Sequence, residues 1–132
     1  FTDARDGHVS IINLASVRAL EEKLGVPVDP LRFRGNIHLE GLAPFAELDL
    51  LGRVLAGPDG LRLKVKRRIQ RCAATNVDPA TGCRDLQIPR TITEAYGHAD
   101  CGVYATVLSG GTIRVGESFQ EEAPHQASLS FA

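Results

Sequence analysis

Arg53-Val54-Leu55-Ala56-Gly57-Pro58-Asp59-Gly60-Leu61-Arg62-Leu63-Lys64-Val65-Lys66 holds a strand, a turn and a second strand in one short stretch. Apolar and charged residues alternate from Leu61 to Lys66. That period places one set of side chains on each face of a half-buried strand. Gly57-Pro58-Asp59-Gly60 is turn chemistry, so the flanking runs predict an antiparallel hairpin. Arg62, Lys64 and Lys66 share its polar face.

Outward from this hairpin, Ile37-His38-Leu39-Glu40 alternates in the same way, and Val9-Ser10-Ile11-Ile12 is a short β-branched run. Val103 to Leu108 reads as a strong strand. Gly110-Gly111 and Thr112-Ile113-Arg114-Val115 follow it, which predicts a second hairpin. A helix is expected over 16–24, with Ser16 as its cap, Val17, Leu20 and Leu24 on one face, and Gly25 ending it. Pro27 and Pro30 mark an irregular loop, and Asp78 to Gly82 a turn. A second short helix is expected over 89–96, with Pro89 in its first turn and Gly97 after it. The sequence therefore predicts a mainly β fold, a closed or partly closed β-barrel with two short helices. It forms one domain over 1–132, in which 119–132 is a frayed polar tail.

Hydrophobic residues make up 43% and charged residues 23% of the 132 residues, with a net charge of −1. That is ordinary globular usage, and it argues against a general nucleic-acid or acidic-membrane binder. Positive charge is concentrated locally in Lys64, Lys66, Arg67, Arg68 and Arg71. Such a run is either a solvated strand face or a local anion site. Cys72, Cys83 and Cys101 are an odd set without a signal peptide, which argues against a secreted disulfide scaffold and for a cytoplasmic protein. No stretch approaches the roughly 20 apolar residues of a membrane span. Phe1 stands where a methionine would begin a chain, so the domain is expected to be the C-terminal part of a longer protein.

The cysteine spacings match no zinc knuckle, and His38, His98 and His125 are scattered. There is no phosphate-binding glycine loop. Ser10, Ser16 and Ser109 lack a nucleophile elbow. Lys23, Lys64 and Lys66 sit in helix-like or alternating strand contexts, so no pyridoxal phosphate is expected. Cys72 has the most telling surroundings. It follows Arg71 and the basic strand, and nearby cations favour the nucleophilic, metal-binding thiolate. The competing reading is a small core residue at a strand end.

Arg71-Cys72-Ala73-Ala74-Thr75-Asn76-Val77-Asp78-Pro79-Ala80-Thr81-Gly82 resembles, without a gap, the R-C-x-x-T-x-V-D-P-x-T-G pattern of MOSC domains, which are related to the C-terminal part of molybdenum cofactor sulfurases. Arg32-Phe33-Arg34-Gly35-Asn36 resembles the family's R-F-R-P-N, with Gly35 in place of proline. Ile11 to Ser16 resembles its strand and small-residue turn. Gly102-Val103-Tyr104, with Gly111 to Gly116, resembles its closing segment. Within the family, the likeness is greatest to the amidoxime-reducing components.

The resemblance implies a β-rich barrel that binds a molybdenum–pterin cofactor (molybdopterin), with Cys72 as the metal ligand and catalytic residue. It also implies that Arg34 and Asn36 hold the pterin or its phosphate beside Arg71, that Ser16 contacts the cofactor from the helix start, and that Tyr104 lines the pocket. Asp78 is either a proton relay or a turn residue. Arg34 and at least one residue of the 64–71 run are expected to border one concave pocket with Cys72, whose sulfur faces the cleft. Cys83 and Cys101 lie elsewhere as structural residues. Gly35 is expected to loosen the Arg34 loop. Three activities follow: an oxidoreductase acting on N-hydroxylated compounds with a redox-protein electron donor, a sulfur carrier using a Cys72 persulfide, or a cofactor-binding module. The N-terminal β-rich region of the family's reductases has no counterpart in this sequence.

Overall fold

Strand β4 (Arg62–Gln70) pairs antiparallel with β3 (Val54–Ala56) in the register Val54 to Lys64, Leu55 to Leu63 and Ala56 to Arg62. The local hairpin is therefore as the alternation predicts. The computed structural model describes residues 8–122 and 128–131. The other strands are β1 (His8–Asn13), β2 (Ile37–Glu40), β5 (Asp100–Ser109), β6 (Ser118–Glu121) and β7 (Ser128–Phe131). They close into a barrel in the order β1-β2-β7-β6-β3-β4-β5, with β5 returning to β1. Closure removes exposed sheet edges.

Helix α1 (Leu14–Leu24) is the crossover between β1 and β2, which are parallel and so cannot be joined by a tight turn. Helix α2 (Ile88–Tyr96) begins with Pro89 in its first turn and ends at Gly97, as expected. The strands serve two cores. Val9, Ile11, Leu39, Leu63, Val65 and Phe119 fill the barrel. Ile12, Val17, Leu20, Ile88, Ile92 and Cys101 form a second cluster under the helices. Strand β1 faces both, with Val9 and Ile11 in the first and Ile12 in the second, which is why it is buried from Val9 to Asn13.

Three expectations need correction. Ser16 does not cap α1. The helix starts at Leu14, and Asn13 caps it by accepting from the Ala15 N–H at 3.0 Å. Nor do Thr112–Val115 form a hairpin partner for β5, because both edges of β5 are occupied, by β1 and by β4. The chain instead runs through an irregular segment to β6, which pairs with β3. For the same reason 119–132 is not simply a tail. Residues 118–121 and 128–131 are barrel strands, while 123–127 and 132 lie outside the described residues.

Candidate functional site: a cationic cleft beside a free thiol

The basic strand is not a uniform polar face. Register shifts between Val65 and Arg67 and between Arg68 and Gln70 break the alternation, so Lys66, Arg67 and Arg68 are all exposed. Past the second shift, Ile69, Gln70, Arg71 and Cys72 form one wall of a cleft of about 350 Å³. Ser10 of β1 and Tyr104 of β5 form another part of the wall, and Arg32, Phe33 and Arg34 a third. Arg34, Arg71, Cys72 and Tyr104 thus meet in one concavity, as expected.

The R-F-R segment is held in a capped turn against β1. Asp29 caps a 3-10 turn over Pro30–Phe33 by accepting from the Leu31 N–H at 2.9 Å. Arg34 ends that turn in the left-handed region, at φ 52°. A Cβ on Gly35 would lie 2.2 Å from Ile12 Cγ1. The glycine therefore lets this segment close onto β1. Asn36 does not line the cleft. Its Oδ1 accepts from the Ser10 N–H at 2.8 Å and the Ser10 hydroxyl at 3.1 Å, so it fixes the serine that does.

Two of the arginines are held by several hydrogen bonds. Arg32 is buried and donates from Nη2 to both carboxylate oxygens of Asp85, at 2.8 and 2.9 Å, and from Nη1 to the Thr75 carbonyl at 3.3 Å. Arg71 donates from Nε to the Cys101 carbonyl at 2.8 Å and from Nη1 to the Phe33 carbonyl at 3.0 Å. Desolvation pulls its pKa below the usual arginine value, against the opposing pull of Cys101, Tyr104, Cys72 and Glu47. On two residues that line the cleft, the buried donors Arg32 Nε and Arg71 Nη2 have no hydrogen-bond partner among the described residues. A buried donor left unpaired is costly, so the wall is set up to receive an acceptor.

Cys72 is exposed and free. Its carbonyl accepts from both the Thr75 N–H, at 3.1 Å, and the Thr75 hydroxyl, at 2.9 Å, which accounts for the threonine in R-C-x-x-T. Asp78 does not reach the cleft. Its carboxylate accepts from the Ala80 N–H at 2.9 Å and its carbonyl from the Gly82 N–H at 2.8 Å, the work of a turn residue. Ser16 is fully buried, donating to Glu47 at 2.8 Å and accepting from the Phe45 N–H at 2.8 Å, so it is not presented to a ligand. Cys101 is buried in the helix-side core, as a structural residue would be. Cys83 is free and exposed in the turn, away from the cleft lining. Sequence reasoning passed over Ser10, Arg32 and Glu47. The motif position of Arg32, beside Phe33, was the available signal for it.

The structure is thus a closed β-barrel domain with an exposed thiol at an arginine-lined cleft. The chain belongs to the MOSC domain family, whose sequence model matches residues 1–120. It is similar to molybdenum cofactor sulfurase of Anopheles gambiae, 33% identical over 132 residues, covering 91% of this chain and 16% of that protein. Molybdenum cofactor sulfurase of Drosophila willistoni is 35% identical over 106 residues, covering 75% of this chain and 12% of that protein. The chain thus spans less than a fifth of either curated relative. Its fold is similar to the crystal structure of YiiM from Geobacillus stearothermophilus, with a TM-score of 0.58 at 20% identity, over 94% of this chain and 53% of that one.

Proposed function

We propose that this domain binds the molybdenum–pterin cofactor in the Cys72 cleft. The observation that carries the reading is that two arginines lining the cleft with Cys72 each hold a buried donor, Arg32 Nε and Arg71 Nη2, with no partner among the described residues. The residues present fit the group. Arg34, Arg71 and the Arg32 N–H suit a phosphate and the polar edge of a pterin. The Ser10 hydroxyl, held by Asn36, adds a polar contact, and Tyr104 supplies an apolar wall. Cys72 offers one soft thiolate for the metal. When bound, the cofactor supplies oxygen-atom or sulfur chemistry, and the protein's part is placement and electrostatics.

Two activities share this geometry. Reduction of N-hydroxylated compounds, with Cys72 as permanent metal ligand and a redox protein as electron donor, follows from the motif. Cofactor sulfuration, with Cys72 as persulfide carrier, is favoured by the names of both curated relatives and by the exposure of the thiol. We place the domain in the cytoplasm under either reading; no helix among the described residues is long and apolar enough to cross a membrane.

The binding claim is tested by pterin content after expression of the longest natural form in a cofactor-competent host. Arg71→Gln and Arg34→Gln should lower it. Arg53→Gln, on an arginine paired with Glu121 and outside the cleft, should not. Equal pterin in all three variants would defeat the reading. Turnover of an amidoxime with an electron donor, against cyanide-releasable sulfur on Cys72, then separates the two activities.

A further inference from the structure

Glu47 is a fully buried carboxylate that the proposed cofactor site does not touch. It lies in the 3-10 turn Ala46–Leu50. Oε1 accepts from Asn13 Nδ2 at 3.1 Å and from the Ser16 hydroxyl at 2.8 Å, and Oε2 from the Gly102 N–H at 2.8 Å.

Every hydrogen in this network has a forced direction. Asn13 Oδ1 is occupied as the acceptor that caps α1, so its amide nitrogen must face Glu47. The Ser16 oxygen accepts from the Phe45 N–H, so its own proton goes to Glu47. The Gly102 N–H can only donate. An acceptor-only side chain is required, and a glutamine would turn an NH2 group against one of these donors.

Gly102 is the link to the cleft. It sits at φ +84°, and a Cβ there would lie 3.0 Å from Arg71 Nη2 and 2.9 Å from the Ile11 carbonyl oxygen. The Arg71 guanidinium rests on this bare backbone, with Nη2 free. Arg71 also feels the Glu47 charge, although no ion pair joins them.

We infer that Glu47 is a positioning residue for the cleft: by holding Gly102 it fixes the shelf that presents the Arg71 guanidinium beside Cys72. This rests on the reading of the cleft as an anion site, and its test reads Arg71 whether or not cofactor binds. The probe is the ratio of Cys72 alkylation rates with iodoacetate and with iodoacetamide, measured by peptide mass spectrometry on the full chain. The ratio cancels the thiolate fraction and reports local positive charge. Arg71→Gln should lower it by about fivefold, the effect of one charge about 4 Å away in water. Glu47→Gln should lower it in the same direction, and the double variant no further than Arg71→Gln alone. Ser16→Ala, which leaves the Gly102 bond in place, should keep the wild-type ratio. Should Glu47→Gln fail to fold, Gly102→Ala displaces the shelf from its other side and should lower the ratio as well. A ratio that rises in Glu47→Gln would show a through-space charge effect only, and an unchanged ratio a purely structural carboxylate; either overturns the inference. Loss of the ratio change with normal pterin content would sink this inference alone, whereas a normal ratio response with no pterin bound would sink the cofactor reading alone.

Discussion

Arg32 and Asp85 are joined through both carboxylate oxygens across 53 positions of chain. The pair ties the R-F-R segment to the far end of the loop that begins at Cys72. Thr75 and Asn76 complete the tie: the Thr75 carbonyl accepts from Arg32, and the Asn76 carbonyl accepts from the Asp85 N–H at 3.0 Å. The two segments that carry the family resemblance therefore form one mechanical unit.

Asp85→Ala removes the counter-charge of a guanidinium whose side chain is only 4% exposed. The carboxylate itself is 44% exposed, which moderates the loss. Urea denaturation should show a destabilisation of about 2 kcal/mol. A change of only a few tenths, as for a surface pair, would show that the pair is not a tie.

Gly35→Ala places a Cβ into the Ile12 side chain. The expected loss is about 2 kcal/mol, as for other overpacked sites. Combining it with Ile12→Ala should cost less than the sum of the single changes, because the second change opens the space the first needs. Additive thermal denaturation data would remove the close approach as the reason for glycine.

The Cys101 thiol is pushed up from 9 to about 12, chiefly by burial, with Glu47 adding to the rise and Arg71 opposing it. The unfolded chain loses this proton near pH 9 while the folded chain keeps it. The associated stability is therefore complete below pH 9 and is lost as pH rises toward 12. Wild-type stability should fall more steeply above pH 9 than that of Cys101→Ala. Parallel curves for the two proteins would contradict this account.

Much of this was legible locally. The β3–β4 hairpin and the second helix depend on neighbours in sequence, and the pairing of Val54 with Lys64 follows from the turn between them. The partner of β6 was not legible. Thr112–Val115 has the composition of a strand, and only the occupation of both β5 edges by distant strands denies it a place there. In the site, Cys72, Arg34 and Arg71 were marked by dense motifs. Glu47 was not, since Ala46-Glu47-Leu48-Asp49-Leu50 offers nothing to separate buried Glu47 from exposed Asp49. Its role comes from Asn13, Ser16 and Gly102, which fold against it from remote parts of the chain.

Molybdenum content, measured side by side in wild type, Cys72→Ser, Cys83→Ser and Cys101→Ser, tests the central claim most directly. All four are to be purified in the longest natural form from a cofactor-competent host. The cleft wall carries Cys72 but neither of the other cysteines. Serine keeps the size of the side chain and loses the soft ligand. The account predicts that Cys72→Ser loses retained metal and activity while its fold survives, and that Cys83→Ser and folded Cys101→Ser keep both. Full molybdenum and full activity in Cys72→Ser would contradict it, leaving the arginine-lined cleft without its thiolate ligand.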